Sequence, residues 1–313
     1  MLKLPQELTY RSGKLSSSIL SGIISSFADH ALNFAPPPEE SKISRPAPVQ
    51  PSALTACVHT QESADKLKAK FAKSGKVDVL VNENVRGVKA GAIIILGVEP
   101  SVYADVLAEE GMRGALAGKI LISVVGGVPI AKLKSAIYGV NASAKLDGEK
   151  QCQIVRVTPS TASAVRDSVS LIIQEGDEPY APSALNPVYS LFLRVGSVKI
   201  WPGSLAGVGA TLCASSPAFF SLMLEGAVDG AVELGIDRAE ALGMAAAAMR
   251  GVAGLVTGGE EPEEVRRKVA TSGGSTEAGL RVLEEGGARK LMSDAVKKTC
   301  TATAGLGDEK SKG

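Results

Sequence analysis

Ala92-Ile-Ile-Ile-Leu-Gly97 is apolar at every position. A strand with one wet face alternates apolar and polar residues. An unbroken β-branched run that stops at glycine reads instead as a strand covered on both faces, the habit of parallel sheets whose crossovers carry helices. The flanks repeat the theme. Upstream, Leu54-Thr-Ala-Cys-Val58 and Val77-Asp-Val-Leu-Val81 are short strands, and the polar, lysine-bearing stretch from Ser63 to Ala72 between them is helical. Downstream, Lys119–Val125 is a strand between helices over Val102–Glu109 and Ile130–Ile137. Strands follow at Gln153–Val157, Ser168–Ile173 and Val198–Trp201, with a helix from Pro187. Alternation of this kind predicts crossover units and a mostly parallel sheet.

The amino-terminal part is less regular. A helix is expected over Leu15–Asn33, and Gln6 and Glu7 make the strand before it a poor central one. Residues 35–53 form a proline-rich insertion that reads as a solvated loop.

After Pro202 the texture becomes helical. Ser215 or Ser216 is expected to cap a helix with Pro217 just inside it, running to Gly235 as its C′ residue. Asp237 caps the next, Arg238–Val256, built around Met244-Ala-Ala-Ala-Ala-Met249. Helices over Glu261–Val269, Thr276–Glu285 and Ala288–Cys300 follow, and the tail from Gly307 is charged. The long alanine-rich helix has little polar relief, so it must be covered by its own fold or by a second subunit; we expect a homodimer. The chain therefore divides into an α/β domain, 1–203, and an all-α domain, 204–313.

Composition narrows the function. A net charge of +1 and 4% aromatic residues give neither the field nor the stacking surface for nucleic acid, and no apolar run reads as long enough to cross a membrane. Cys57, Cys152, Cys213 and Cys300 are scattered, and His30 and His59 are the only histidines, which argues against a metal site, a disulfide framework or a Ser-His-Asp triad. Free thiols fit a reducing compartment, and the cytoplasm is expected.

One turn carries chemistry. Lys268-Val-Ala-Thr-Ser-Gly-Gly-Ser-Thr-Glu-Ala-Gly-Leu280 reads as a helix end, paired glycines at 273 and 274, and a new helix opening at Ser275-Thr276. The first turn of that helix offers unpaired N–H groups and a partial positive charge to a carboxylate or phosphate, and the Thr276 hydroxyl adds a donor. A capped helical hairpin would have the same sequence.

As a set, Ser216-Pro-Ala-Phe219, Leu224-Glu-Gly-Ala-Val-Asp-Gly230, Gly273-Gly-Ser-Thr276, Gly279-Leu280 and Leu283-Glu284 resemble pyrroline-5-carboxylate reductases. Glu83-Asn-Val-Arg-Gly87 and Arg156-Val-Thr-Pro-Ser-Thr-Ala162 extend the resemblance across nearly the whole chain. It implies a Rossmann-like α/β domain followed by a helical dimerisation domain, and hydride transfer from NADPH or NADH to a cyclic imine. It implies Thr276 as the catalytic hydroxyl, with Gly273, Gly274, Ser275, Ser215 and Ser216 about a small-molecule substrate in a cleft between domains. On the cofactor side it implies Gly13, Lys14, Leu15, His59, Val98, Pro100 and Ser160.

The departures gather on that side. Where the family has a Gly-x-Gly-x-x-Gly turn, this chain keeps only Gly13; Arg11 replaces the first glycine and Ser16 the third. Glu99-Pro100 replaces Lys-Pro, and Thr271-Ser272 replaces the Ser-Pro before the paired glycines. Three readings stay open: a reductase with an altered nucleotide site, a non-redox enzyme of small-molecule biosynthesis such as a cyclase or isomerase, and a non-catalytic dimeric paralogue.

Overall fold

The structure, a computed structural model, describes residues 7–11, 14–26, 51–72, 77–139 and 150–305. The residues expected to continue the first helix to Asn33, most of the proline-rich loop and the charged tail lie outside them. In chain order the first elements are β1 (Glu7–Arg11), α1 (Lys14–Ser26), β2 (Ala53–Val58), α2 (Gln61–Phe71), β3 (Val77–Val81), α3 (Asn84–Ala90) and β4 (Ile93–Leu96). Then come α4 (Tyr103–Leu107), α5 (Met112–Leu116), β5 (Ile120–Ser123), α6 (Ile130–Tyr138), β6 (Gln153–Thr158), β7 (Ser168–Gln174), α7 (Pro182–Phe192) and β8 (Gly196–Pro202). The strands form one sheet in the order β3-β2-β1-β4-β5-β6-β7-β8. All neighbours are parallel except β6 and β7.

The apolar run at β4 behaves as its composition demands. Ile93 and Ile95 belong to one core cluster, while Ile94 and Leu96 belong to another, and all four are at most 5% exposed. The first cluster takes Ile19, Leu20 and Ile23 of α1 and Val188 and Phe192 of α7. The second takes Val106, Met112, Leu116 and Leu133 from α4, α5 and α6. Burying each such side chain is worth roughly 1.5–3 kcal/mol.

Several expectations need correction. β1, a poor strand by composition, lies in the middle of the sheet, because its backbone pairs with both β2 and β4. α7 starts at Pro182 and runs through Pro187. A proline inside a helix costs about 3 kcal/mol, offset here by the complete burial of Val188 and Phe192 on either side of the next turn. α3 and α5 escape the sequence reading because helices this short show no full period of apolar residues.

The helical part comprises α8 (Ala206–Ala210), a π-helical turn over Thr211–Ser215, α9 (Ser216–Glu233), α10 (Arg238–Thr257), α11 (Pro262–Val269), α12 (Ser275–Glu285) and α13 (Ala288–Gly305). α9 opens at Ser216 with Pro217 in its first turn, as expected, but without the expected serine cap. Ser215 has helical dihedrals and makes no capping bond, and the chain stays helical from α8 into α9. The wider π turn sits where the Pro217 ring and missing N–H disturb regular α bonding. Other boundaries fall where caps place them: Gly235 has φ +97°, and the Asp237 carboxylate accepts from the N–H groups of Ala239 and Glu240 at 2.8 and 3.2 Å. Among the described residues, those up to Ala214 and from Cys300 onward form one compact unit, and Ser215–Thr299 form another.

In the first unit α1 packs very closely. A Cβ on Gly22 would lie 2.0 Å from the Ser163 carbonyl oxygen and 2.8 Å from Val195 Cγ1. Gly22→Ala is expected to destabilise the protein by about 1–3 kcal/mol, read as a lower urea midpoint at unchanged slope. Gly114→Ala, where nothing lies within 4 Å of the new atom, should be neutral or slightly stabilising; equal effects of the two substitutions would refute the close-packing account.

Candidate functional site

β3, β2, β1, β4, β5 and β6 run parallel, so their carboxyl ends share one edge of the sheet. The strand order reverses at β1, which has β2 on one side and β4 on the other. Open α/β sheets bind ligands in the crevice at such a reversal. Arg11 ends β1 with its backbone paired to Cys57 and Leu96. It therefore lies in extended backbone that any residue adopts. Gly13 lies outside the described residues. Lys14 opens α1, whose first-turn N–H groups have no intrahelical acceptor and favour an anion.

Ser16 stands where the family's third glycine lets helix and strand approach closely. The approach is preserved. Ser16 is fully buried, and its Oγ donates to the Gly97 carbonyl at 3.0 Å. The room comes from the opposite backbone: a Cβ on Gly97 would lie 1.6 Å from Ser16 Oγ and 2.9 Å from Ser16 Cβ.

The other cofactor-side positions take separate places. Leu15 is half-buried and packs on the first core cluster, while Val98 packs on the second. His59 is exposed immediately after β2, and Thr60 beside it caps α2 by accepting from the Ser63 N–H at 3.2 Å. Glu99 is exposed and Pro100 half-buried. Ser160 is 2% exposed, and its hydroxyl accepts from the Ala162 N–H at 3.2 Å, so it caps a 3₁₀ turn. Arg156 forms an ion pair with Glu175, whose other oxygen accepts from the Ile130 N–H at 2.8 Å. Burial pushes the Arg156 guanidinium below its ordinary pKa, with the Tyr180 hydroxyl partly offsetting the shift. These residues tie β6, β7 and α6 together.

Asn84 lies within the motif Glu83–Gly87 but was given no site role by the sequence. It stands at the start of α3, just beyond the carboxyl end of β3, and is 8% exposed. Its Nδ2 donates to Glu109 Oε1 at 2.5 Å, while its buried Oδ1 has no partner. A polar residue directly after a strand and before a helix was the available signal.

The glycine turn belongs to the second unit. Gly273 has φ +74°, and a Cβ on Gly274 would lie 2.6 Å from Thr271 Oγ1, so each glycine is required for its own reason. Gly274 precedes α12 without a side-chain cap, and Ser275 and Thr276 form its exposed first turn. Glu277 qualifies the anion seat: its Oε2 accepts from the Gly273 N–H at 2.5 Å, so one turn amide is already engaged by a carboxylate of the chain itself. In the same unit Ser215 is half-buried and Ser216 is 2% exposed.

That unit buries little on its own. Of its apolar residues only Val228, Ala241 and Val265 are buried, although α9 packs along α10 and α10 touches α11. Leu222, Met223, Leu242, Met244, Val252 and Leu255 are 44–64% exposed. Gly203–Glu233 and Arg238–Thr257 are also long and apolar enough to cross a membrane by length and composition. The sequence reading expected no run of that length.

Comparison with known proteins accounts for both parts. Residues 204–306 match the family model described as pyrroline-5-carboxylate reductase dimerisation, and residues 45–127 match that described as NADP oxidoreductase, coenzyme F420-dependent. The chain is 37% identical to a pyrroline-5-carboxylate reductase of Lophium arboricola, over 94% of its own length and 91% of the relative's. It is 35% identical to that of Neurospora crassa, with 94% and 91% covered. A crystal structure of the Plasmodium falciparum pyrroline carboxylate reductase shares the fold at a TM-score of 0.73 and 19% identity, covering 97% of this chain and 98% of that one. By its identity and coverage against these relatives, the chain belongs to the pyrroline-5-carboxylate reductase family.

Proposed function

We propose that this protein is an NADPH-dependent reductase of a cyclic imine that carries a carboxylate, converting pyrroline-5-carboxylate to proline. It works as a homodimer in a reducing compartment, the cytoplasm. The observation that carries this reading is the strand reversal at β1, with β2 on one side and β4 on the other. The altered glycines were the reason to consider a non-redox enzyme or a silent paralogue. Arg11 is ordinary strand, and Ser16 is accommodated by Gly97, so both changes are compatible with a bound dinucleotide.

When bound, the nucleotide would supply a hydride to the imine carbon, and solvent would supply the proton that the nitrogen takes up. The chain's own residues bind and orient. The first-turn N–H groups of α1 hold the pyrophosphate. His59, exposed after β2, donates to a ribose 2′-phosphate, and no carboxylate occupies that position to select a free 2′-hydroxyl. The N–H groups of Ser275 and Thr276 and the positive end of α12 hold the substrate carboxylate, in competition with Glu277 for the turn. Thr276 Oγ1 donates a hydrogen bond to the imine nitrogen. Electron density grows on that nitrogen as the carbon is reduced, so the bond strengthens toward the transition state. A second copy covers the apolar faces of α9 and α10.

NADPH is expected to raise the melting temperature of the purified protein, since a ligand of the native state stabilises it, and to do so at lower concentration than NADH. The absence of any shift with millimolar nucleotide would overturn the reductase reading. His59→Asp should weaken NADPH more than NADH, by roughly tenfold in affinity ratio. Thr276→Ala should lower kcat/KM on the cyclic imine by about 10- to 100-fold while leaving the NADPH shift unchanged; equal losses in both would remove its assigned role. Met244→Glu should convert dimer to monomer in light scattering, and an unaltered mass would place the subunit contact elsewhere.

A further inference from the structure

Ser16 and Gly97 are 81 positions apart, yet each is sized to the other. Ser16 lies in the first turn of α1, and Gly97 follows directly on β4. They meet at the strand reversal, where Arg11 of β1 is paired with Leu96. There is space for one side chain between the two backbones, and Ser16 takes it. Val124 closes the far side, with its Cγ2 3.2 Å from where a Gly97 Cβ would sit. The hydroxyl is fully buried and donates to the Gly97 carbonyl, so the contact fixes direction as well as distance.

We infer that Ser16 and Gly97 are a positioning pair for the nucleotide: the Ser16 hydroxyl ties the first turn of α1 to the end of β4, so that the helix amides stay aimed into the crevice. The inference rests on the nucleotide reading above. The pair does the work of a glycine at 16 by a different division of space: the side chain stands on the helix and the vacancy on the strand. Two consequences follow. A second side chain, added at Gly97, displaces α1. Removing the Ser16 side chain makes a side chain at Gly97 tolerable again. The tie holds α1 and touches no reacting atom, so its loss weakens nucleotide binding and leaves the chemical step alone.

The experiment is a cycle of full-length variants read by NADPH-dependent thermal shift and by steady-state kinetics with a cyclic imine. Ser16→Ala keeps the space and loses the bond; it should raise the KM for NADPH roughly tenfold with kcat retained. Gly97→Ala should abolish the NADPH shift, and Ser16→Gly combined with Gly97→Ala should restore it. If the wild type itself shows no shift, the reductase reading fails and the inference with it. If the wild type shifts but Gly97→Ala shifts equally, or the double variant is no better than Gly97→Ala, the pair has no positioning role. A Ser16→Ala protein with lowered stability but unchanged KM for NADPH also overturns the inference, because that is the behaviour of a packing contact alone. The Ser16→Ala arm stands even if Gly97→Ala fails to fold.

Discussion

The first unit depends on how closely α1 approaches the middle of the sheet. At its start the helix meets the end of β4, where Ser16 and Gly97 share a space that holds one side chain. Nearly two turns further, Gly22 lies against the Ser163 carbonyl and Val195. These contacts leave little freedom in the position of the helix. A helix whose amino end is to face an anion has to be held by its sides, because its first amides must stay uncommitted within the protein. Here the holding falls to a hydrogen bond near the first turn, a backbone contact in the middle and an apolar face of Ile19, Leu20 and Ile23 sunk into the core.

The two halves of the chain handle apolar surface in opposite ways. In β4, alternate residues face helices on either side, and the apolar content is consumed within the chain: Ile93 to Leu96 need two covering layers and have them. In the helical unit, α9 and α10 carry comparable apolar content and cover little of it. Exposed patches of this kind mark surfaces made to meet another molecule. The match of this region to a dimerisation family gives that surface its purpose. The same helices are long and apolar enough to cross a membrane for the same reason, since helices apolar on most sides are common to bilayers and to subunit interfaces.

The glycine turn shows how a family motif and local chemistry coexist. Gly273 and Gly274 are demanded by dihedral and by space, and α12 starts where Ser275 places it. Glu277 reaches back to the turn as a capping carboxylate would. The Glu277 carboxylate thus already engages one of the turn's amides, and an anion in the proposed seat would have to compete with it.

Much of this was legible in the residues. Strands longer than a few residues and fully apolar, such as Ile93–Leu96, announce themselves, and so do caps whose side-chain chemistry is local, such as Asp237 and Gly235. The turn at Gly273–Thr276 was legible because its glycines and hydroxyls are contiguous. What the residues could not carry was anything decided across long separations. Composition argued against β1, but two parallel partners fixed it at the centre. Pro187 looked like a helix start, but the burial of α7 carries the helix through it. Most of all, Arg11 and Ser16 read as damage to a glycine motif. Only the tertiary structure places Arg11 inside a ladder and Gly97 opposite Ser16, because steric room is a property of two backbones and a sequence lists one residue at a time.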